Sequence, residues 1–224
     1  MKTVRILAMV SLAACMFASA VPSMAAAQGA KPKTADSTRD APKRVDREDL
    51  IPPGFGTLRQ DQIAIRLTAN GLTVSAIPLE ETIIRTLAPD SYRTLHNIRE
   101  SKKAALEALR MRNGLTSVQA WYVTYFNIQQ GDARYDPFDF LVRSVGQDFR
   151  PLDALPVTPG FSDGRVAQRG AQSGIYAFDP QVDLNQPITV TSLGQQTTVW
   201  GDTMLPLIER ERSAVWSRSA AAKP

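Results

Sequence analysis

The sequence predicts an α+β fold whose main body is an antiparallel β-sandwich. Hydrophobic residues make up 43% and charged residues 21% of the 224 residues, the balance of a globular chain with a sizeable core. Several short stretches alternate apolar and polar residues between turn signals, which is typical of a sandwich. A long helix is predicted before this body, at about residues 90–113, and a second at about 203–218.

The first 27 residues have the pattern of an export signal. Lys2 and Arg5 precede an apolar stretch over residues 6–21, and we expect cleavage before Gln28. Two alternatives remain open. The Leu-Ala-Ala-Cys sequence that ends at Cys15 resembles a lipobox, which predicts a lipidated N-terminus, and an uncleaved anchor of about 20 apolar residues is the other fate. All three fates place the body outside the cytoplasm, in the periplasm or at the extracytoplasmic membrane surface.

Residues 28–50 are predicted to be a disordered, charged linker. They alternate Lys, Arg and Asp, contain two prolines and have almost no large apolar side chain. Such a tract cannot bury enough apolar surface to order itself. We expect it to space the β-rich domain, residues 51–202, from a membrane or from the export machinery; a charged docking segment is the alternative.

A β-hairpin opens the predicted domain. Residues 62–68 alternate, with Ile63 and Ile65 on one face, and Asn70-Gly71 is the strongest short hairpin signal. The alternation resumes at Leu72. The sequence therefore predicts two antiparallel strands here, followed by a helical turn or two after Pro78.

The long helix over residues 90–113 is predicted from Asp90 as its N-cap and Gly114 after its end. Its charged face includes Arg99 and Arg110, which suit either a solvated face or a surface for a protein partner. His96 lies in the same helix, and we expect it to be structural or exposed.

From Thr116 onward the period changes to two. Strands are predicted at residues 118–125, 138–145, 147–152, 174–178, 188–191 and 197–200. The order of the segments at 121–127, 137–140, 147–151 and 174–178 resembles small immunoglobulin-like β-sandwich domains of exported bacterial envelope proteins. The resemblance covers about residues 116–200 and includes no catalytic motif. It implies an immunoglobulin-like fold and a role in binding or spacing rather than catalysis.

Composition argues against several classes of function. One cysteine, Cys15, and one histidine, His96, are too few for a zinc site, so we expect no metal and no cofactor. The formal charge of +4 falls to +2 without Lys2 and Arg5, because 24 basic residues then face 22 acidic ones. That balance lacks the basic stripe of a nucleic-acid-binding protein.

The segment 160–164 fits the G-x-S-x-G pattern of serine hydrolases. Pro159 precedes it, where the motif requires a buried strand that leads through a turn into a helix. No histidine follows it, although the motif also requires a later histidine as the catalytic base. Asp179, Asp183 and Asn185 lack the spacing of a calcium loop and suit turns instead. Pairs of acids, Glu80 with Glu81 or Asp136 with Asp139, are the remaining basis for a carboxylate-dependent hydrolase.

Two other surfaces are candidate binding sites. The long loop over residues 156–172 carries Arg165 and Arg169, which suit a small anion or a glycan. The C-terminal helix carries Arg212 and Trp216, which suit a protein partner.

The leading functional hypothesis is a non-enzymatic, exported envelope protein: a membrane-extrinsic accessory or scaffolding subunit that binds another protein and stabilises a larger membrane complex. Its expected contact residues are Arg99, Arg110, Arg212 and Trp216. The alternative is a periplasmic binding module for a small anion or a glycan, with Arg165 and Arg169 as its ligand-binding residues. A carboxylate-dependent hydrolase is the third hypothesis.

Overall fold

The computed structural model describes residues 50–221. The predicted signal peptide, the lipidation site considered at Cys15 and residues 28–49 of the predicted linker lie outside this range. The elements in chain order are β1 (Ile65–Ala69), β2 (Leu72–Pro78), α1 (Glu81–Ile84), α2 (Pro89–Ser101), α3 (Lys103–Arg112), β3 (Gln119–Asn127), β4 (Ala133–Arg134), β5 (Leu141–Ser144), β6 (Gln147–Phe149), β7 (Asp153–Pro156), β8 (Arg165–Val166), β9 (Ala171–Phe178), β10 (Ile188–Ser192), β11 (Gln195–Thr197) and α4 (Leu205–Ala221). Across the described part the fold is α+β, as the sequence predicts.

The strands form three sheets. One has five strands in the order β1-β2-β3-β9-β7, one has four in the order β11-β10-β5-β6, and β4 pairs with β8 alone. Every pairing between these strands is antiparallel. Buried side chains of all three sheets belong to one hydrophobic core.

Aromatic side chains fill the centre of this core. The ring of Phe140, just before β5, lies 5.5 Å from that of Tyr176 on β9 and 6.2 Å from that of Trp121 on β3. Tyr125 stacks on Tyr135 with ring centroids 4.0 Å apart. Edge-to-face and stacked contacts of this kind add to the burial of large apolar area.

The predicted hairpin at Asn70-Gly71 is confirmed. Ala69 pairs with Leu72, and the two turn residues have φ values of 50° and 74°, as a two-residue type I′ turn requires. The turn at Val145-Gly146, between β5 and β6, has the same left-handed pair of φ values. Valine is branched at Cβ, so this conformation is strained there.

The predicted single helix over 90–113, placed before the sandwich, is wrong. Two helices, α2 and α3, occupy this stretch, and they lie between β2 and β3 rather than before the sheets. Lys102 separates them with φ −111° and ψ 7°, and the Ser101 hydroxyl donates to the carbonyl of Ile98 at 2.6 Å. Leu95 and Leu109 are the only fully buried residues of α2 and α3, respectively, and Ile98 and Leu106 are partly buried. The polar residues between Ile98 and Leu106 interrupt the apolar face at the break.

The C-terminal helix is confirmed, with different bounds. A π-helical turn over Trp200–Met204 leads into α4, which begins at Leu205 rather than Thr203. The Trp200 indole is buried and donates to the carbonyl of Leu184 at 3.1 Å. This bond fixes the point at which the chain leaves the sheets and enters the helix.

Several strand boundaries also differ from the predictions. The strand predicted over 138–145 is limited to β5, and the strand predicted at 147–152 is limited to β6. The next strand, β7, begins only at Asp153 and belongs to the other sheet. The long loop over 156–172 contains a 3-10 turn, Pro159–Asp163, and the strand β8. Within residues 50–221, no helix combines the length and the apolar composition needed to cross a bilayer.

Candidate functional site

Glu81, the first residue of α1, is the centre of a group of polar side chains that we name the Glu81 cluster: Glu81, Arg85, Tyr92, His96 and Arg99. The carboxylate is 18% exposed. Its Oε2 accepts a hydrogen bond from Arg85 Nε at 2.7 Å, and Oε1 lies 2.8 Å from His96 Nδ1. Nη1 of Arg99 approaches Oε1 at 3.6 Å. Three basic side chains, two from α2 and one from the residue that follows α1, therefore surround one half-buried acid.

The protonation of this cluster follows from its contacts. Burial opposes ionisation of Glu81, but the hydrogen bonds from Arg85 and His96, with the charge of Arg85, outweigh it and hold the pKa of Glu81 below its ordinary value. An ionised carboxylate can only accept, so His96 carries a hydrogen on Nδ1. Burial, followed by the charge of Glu81, raises the pKa of Tyr92, whose hydroxyl donates to Oε2 at 3.3 Å.

A groove of about 700 Å³ opens beside the cluster, between α2, α3 and the chain that leads into β3. Ion pairs form its outer wall. Lys103 Nζ lies 2.9 Å from Glu100 Oε2, and Arg110 Nη2 lies 2.6 Å from Glu107 Oε1. The groove thus presents both signs of charge at its surface, with the Glu81 cluster on its inner side.

The structure brings two of the predicted contact residues together. Arg99 and Arg110, on different helices, both line the groove, and about a third of each side chain is exposed. Arg212 lies elsewhere: its Nε donates to the carbonyl of Thr82 at 3.1 Å and so joins α4 to α1. Trp216 is 48% exposed on α4 and does not line the groove.

The loop arginines lie on a separate surface. Arg165 and Arg169 are both exposed, and Arg169 has φ 56°. Arg165 is paired in register with Arg134 of β4, a residue that sequence reasoning missed. A two-residue strand has too few residues to show a period, so no local signal marked Arg134.

The acid pairs considered for hydrolysis have other contacts. Glu81 is held by basic groups rather than facing a second acid. Asp136 Oδ1 accepts from the backbone of Phe138 at 2.8 Å, and Asp139 Oδ2 accepts from the backbone of Leu193 at 3.2 Å. These are the bonds of residues that stabilise turns.

The residues considered for calcium binding also belong to turns. Asp179 accepts from the backbone of Gln181, and Asp183 from that of Asn185, each at 2.9 Å. Among the described residues, no group of three or more His, Cys, Asp or Glu side chains is placed to hold a metal ion.

The G-x-S-x-G segment forms a turn that packs against the core. Phe161, its second residue, is buried, and the space above Gly174 of β9 accommodates its ring, because a Cβ at Gly174 would lie 2.5 Å from it. The Tyr135 hydroxyl donates to the Phe161 carbonyl at 2.6 Å, whereas Ser162 is exposed. A 3-10 turn occupies the place of the strand, turn and helix of a nucleophile elbow.

No protein-family model matches the chain, and neither a curated protein nor a solved structure is significantly similar to it. What the chain binds is therefore inferred from the contacts, exposure and charge of its own residues.

Proposed function

We propose that this chain is an exported, non-enzymatic accessory subunit that binds another protein at the extracytoplasmic membrane surface and stabilises a larger membrane complex. The observation that carries the proposal is the groove beside the Glu81 cluster, in which Arg99 and Arg110 come together. The export pattern of residues 1–27 supports the location, with cleavage before Gln28, lipidation at Cys15 or a retained anchor as its three forms.

The Glu81 cluster favours binding over catalysis. A general acid or base works best with a pKa near the operating pH. Arg85 and His96 stabilise the ionised form of Glu81, and its lowered pKa makes it a weak base and keeps it from acting as an acid. Both carboxylate oxygens already have partners. Such a group holds α1 and α2 in place beside the groove.

The charges of the groove indicate the chemistry of the partner. Lys103 and Arg110 each have a close acidic neighbour, whereas the one ion pair of Arg99 with a residue in 50–221 is longer, at 3.6 Å. Arg99 is thus the basic side chain best placed to bind the carboxylate of a partner. We propose that a polypeptide segment with an acidic side chain enters the groove, and that Arg212 and Trp216 on α4 form a second contact.

The proposal includes an immunoglobulin-like β-sandwich as the scaffold. Its support is the shared core of the five-stranded and four-stranded sheets, in which the ring of Phe140 contacts those of Trp121 and Tyr176. The resemblance of residues 116–200 to exported immunoglobulin-like domains agrees with this arrangement. Domains of that kind bind or space other proteins.

The test is purification of the tagged, full-length protein from its own membranes in mild detergent. Intact mass reports the N-terminus, and cross-linking mass spectrometry reports which residues contact the partner. We expect a stable partner cross-linked through α2 and α3, and at least a tenfold loss of that partner with Arg99→Glu. Arg93→Glu is the matched control, because Arg93 is an exposed arginine on α2 that does not line the groove.

Thermal unfolding of both variants separates loss of binding from loss of fold. Recovery of the monomer alone across several mild detergents would contradict the proposal. Equal recovery of the partner with Arg99→Glu and Arg93→Glu would show that binding does not use the groove.

A second candidate function is a periplasmic binding module for a small anion or a glycan. The observation that favours it is the exposure of Arg165 and Arg169, neither of which forms an ion pair or a side-chain hydrogen bond with any residue in 50–221. Unpaired arginines can receive an anionic ligand without first breaking an internal contact. A thermal shift by a bound anion, abolished by Arg165→Gln with Arg169→Gln, is the expected result.

A further inference from the structure

Arg134 and Arg165 face each other across a two-stranded ribbon. β4 and β8 pair antiparallel, with Arg134 opposite Arg165 and Ala133 opposite Val166. Ala133 and Val166 are buried, so the two arginines lie on the opposite, exposed face. Directly opposed residues have Cβ atoms about 4.5–5.5 Å apart. The two arginine side chains therefore leave the ribbon side by side.

The two arginines of this pair have no direct acidic partner within the described part of the chain. Neither arginine has an ion pair or a side-chain hydrogen bond with another residue in 50–221. Asp132 and Asp163 precede them by two residues each, yet neither acid pairs with them. Like charges directly opposite each other destabilise a ladder. A bound anion would turn this repulsion into attraction.

The surrounding backbone is fixed by one buried side chain. The Asn127 amide nitrogen donates to the carbonyls of Gly131 at 2.6 Å and Val166 at 3.1 Å, and its backbone N–H donates to Gly170 at 3.1 Å. These bonds join the loop before β4, the end of β8 and the turn that carries Arg169. The three arginines thus project from segments that share one rigid support, which favours binding without a large ordering cost.

The chemistry of two opposed guanidinium groups selects the ligand. One planar fork is enough for the two oxygens of a carboxylate. Two forks complement a group with three or more oxygens and two negative charges. We infer that Arg134 and Arg165 form a site for a tetrahedral oxyanion, a phosphate or sulfate group, with Arg169 as a third cation. The inference rests on the second candidate function and adds Arg134 to it.

A phosphate group of this kind can be free, carried by a soluble sugar or part of a lipid headgroup. The first measurement is calorimetric titration of the full-length protein with inorganic phosphate and, separately, with inorganic sulfate. The second is co-sedimentation with vesicles of phosphatidylcholine, with and without phosphatidic acid. Binding to inorganic phosphate alone assigns a soluble ligand, and phosphate-competed binding to phosphatidic acid vesicles assigns a lipid.

The variants are Arg134→Gln, Arg165→Gln and Arg169→Gln, with Arg66→Gln as the control. Arg66 is also exposed and has no ion pair or side-chain hydrogen bond in the described part of the chain, but it lies on β1. We expect at least a tenfold rise in the Kd for phosphate with either Arg134→Gln or Arg165→Gln, and no change with Arg66→Gln. Removing one of two like charges should leave the unfolding midpoint without phosphate unchanged or raised.

Two results would overturn the inference in different ways. If Arg165→Gln and Arg169→Gln weaken binding while Arg134→Gln does not, the anion-binding function stands and the paired-arginine site is wrong. If the unaltered protein binds neither phosphate, sulfate nor phosphatidic acid vesicles, the site and the second candidate function are both wrong.

Discussion

His96 Nδ1 lies 2.8 Å from Oε1 of Glu81, so a hydrogen bond joins α2 to α1 across 15 positions of the chain. Arg85, the residue that follows α1, donates to the other carboxylate oxygen. The one histidine of the sequence therefore connects α2 to α1, and its partner is an acid that sequence reasoning considered for hydrolysis.

Glu81→Gln should lower the free energy of unfolding by about 2 kcal/mol at neutral pH, because the charged acceptor of several hydrogen bonds is lost. The pKa of Glu81 is held below its ordinary 4.5, so its contribution to stability is complete above pH 4.5 and is lost as the pH falls through the lowered value. Urea denaturation from pH 7 to pH 3 measures both effects. Glu80→Gln is the matched control; an equal loss with Glu80→Gln would contradict the role of Glu81.

The buried tyrosines predict instability at high pH. Burial raises the pKa of Tyr125 to about 12, and it also raises those of Tyr135 and Tyr176. The folded state therefore keeps protons that the unfolded chain releases near pH 10, so stability falls as the pH rises above 10. Absorbance of tyrosinate should show these three groups ionising together with unfolding. Their ionisation in a still-folded protein at pH 10 would contradict this expectation.

Val145→Asn should raise the free energy of unfolding by about 1 kcal/mol, because asparagine tolerates the left-handed conformation that strains valine. Val145 has φ 48° and is 73% exposed, so the change removes little buried area. Asn70→Val is the reciprocal control in the turn with the same φ pattern, and it should destabilise by a similar amount. Chemical denaturation of both variants tests the pair of expectations. A destabilised Val145→Asn would show that the valine makes a contact that outweighs its strain.

Glu211→Ala should destabilise the protein by about 2 kcal/mol and loosen α4, because the backbone N–H and the hydroxyl of Thr57 lose a nearly buried acceptor. Glu211 accepts from the backbone N–H and the hydroxyl of Thr57 at 2.8 and 2.9 Å and pairs with Arg218.

Glu209→Ala, at an exposed position of the same helix, is the matched control and should lower the free energy of unfolding by no more than about 0.5 kcal/mol. Denaturation and amide exchange of α4 measure the difference, and Glu211→Gln, which keeps an oxygen, should fall between the two. Equal effects of the two alanine variants would refute the role of Glu211.

Local sequence patterns predicted the features that depend on neighbouring residues. The Asn70-Gly71 hairpin needs only two residues that accept positive φ, and the alternation around Leu72 and in β3 needs only one buried face. The lack of a second cysteine or histidine likewise follows from counting. These properties belong to the chain before it folds.

Contacts between distant residues decided the rest. The break at Lys102 depends on which apolar side chains of α2 and α3 find a buried place, and periodicity alone cannot supply the surface they pack against. β7 joins the five-stranded sheet beside β9, although its sequence neighbour β6 belongs to the other sheet.

The same limit applies to the candidate sites. The sequence determined that Glu81, His96, Arg134 and Arg165 exist, and it marked three of them. The tertiary structure alone decided that His96 contacts Glu81 and that Arg165 lies opposite Arg134, because packing of the shared core sets these pairings. A residue's type sets which contacts it can make, whereas the fold sets which of them it makes.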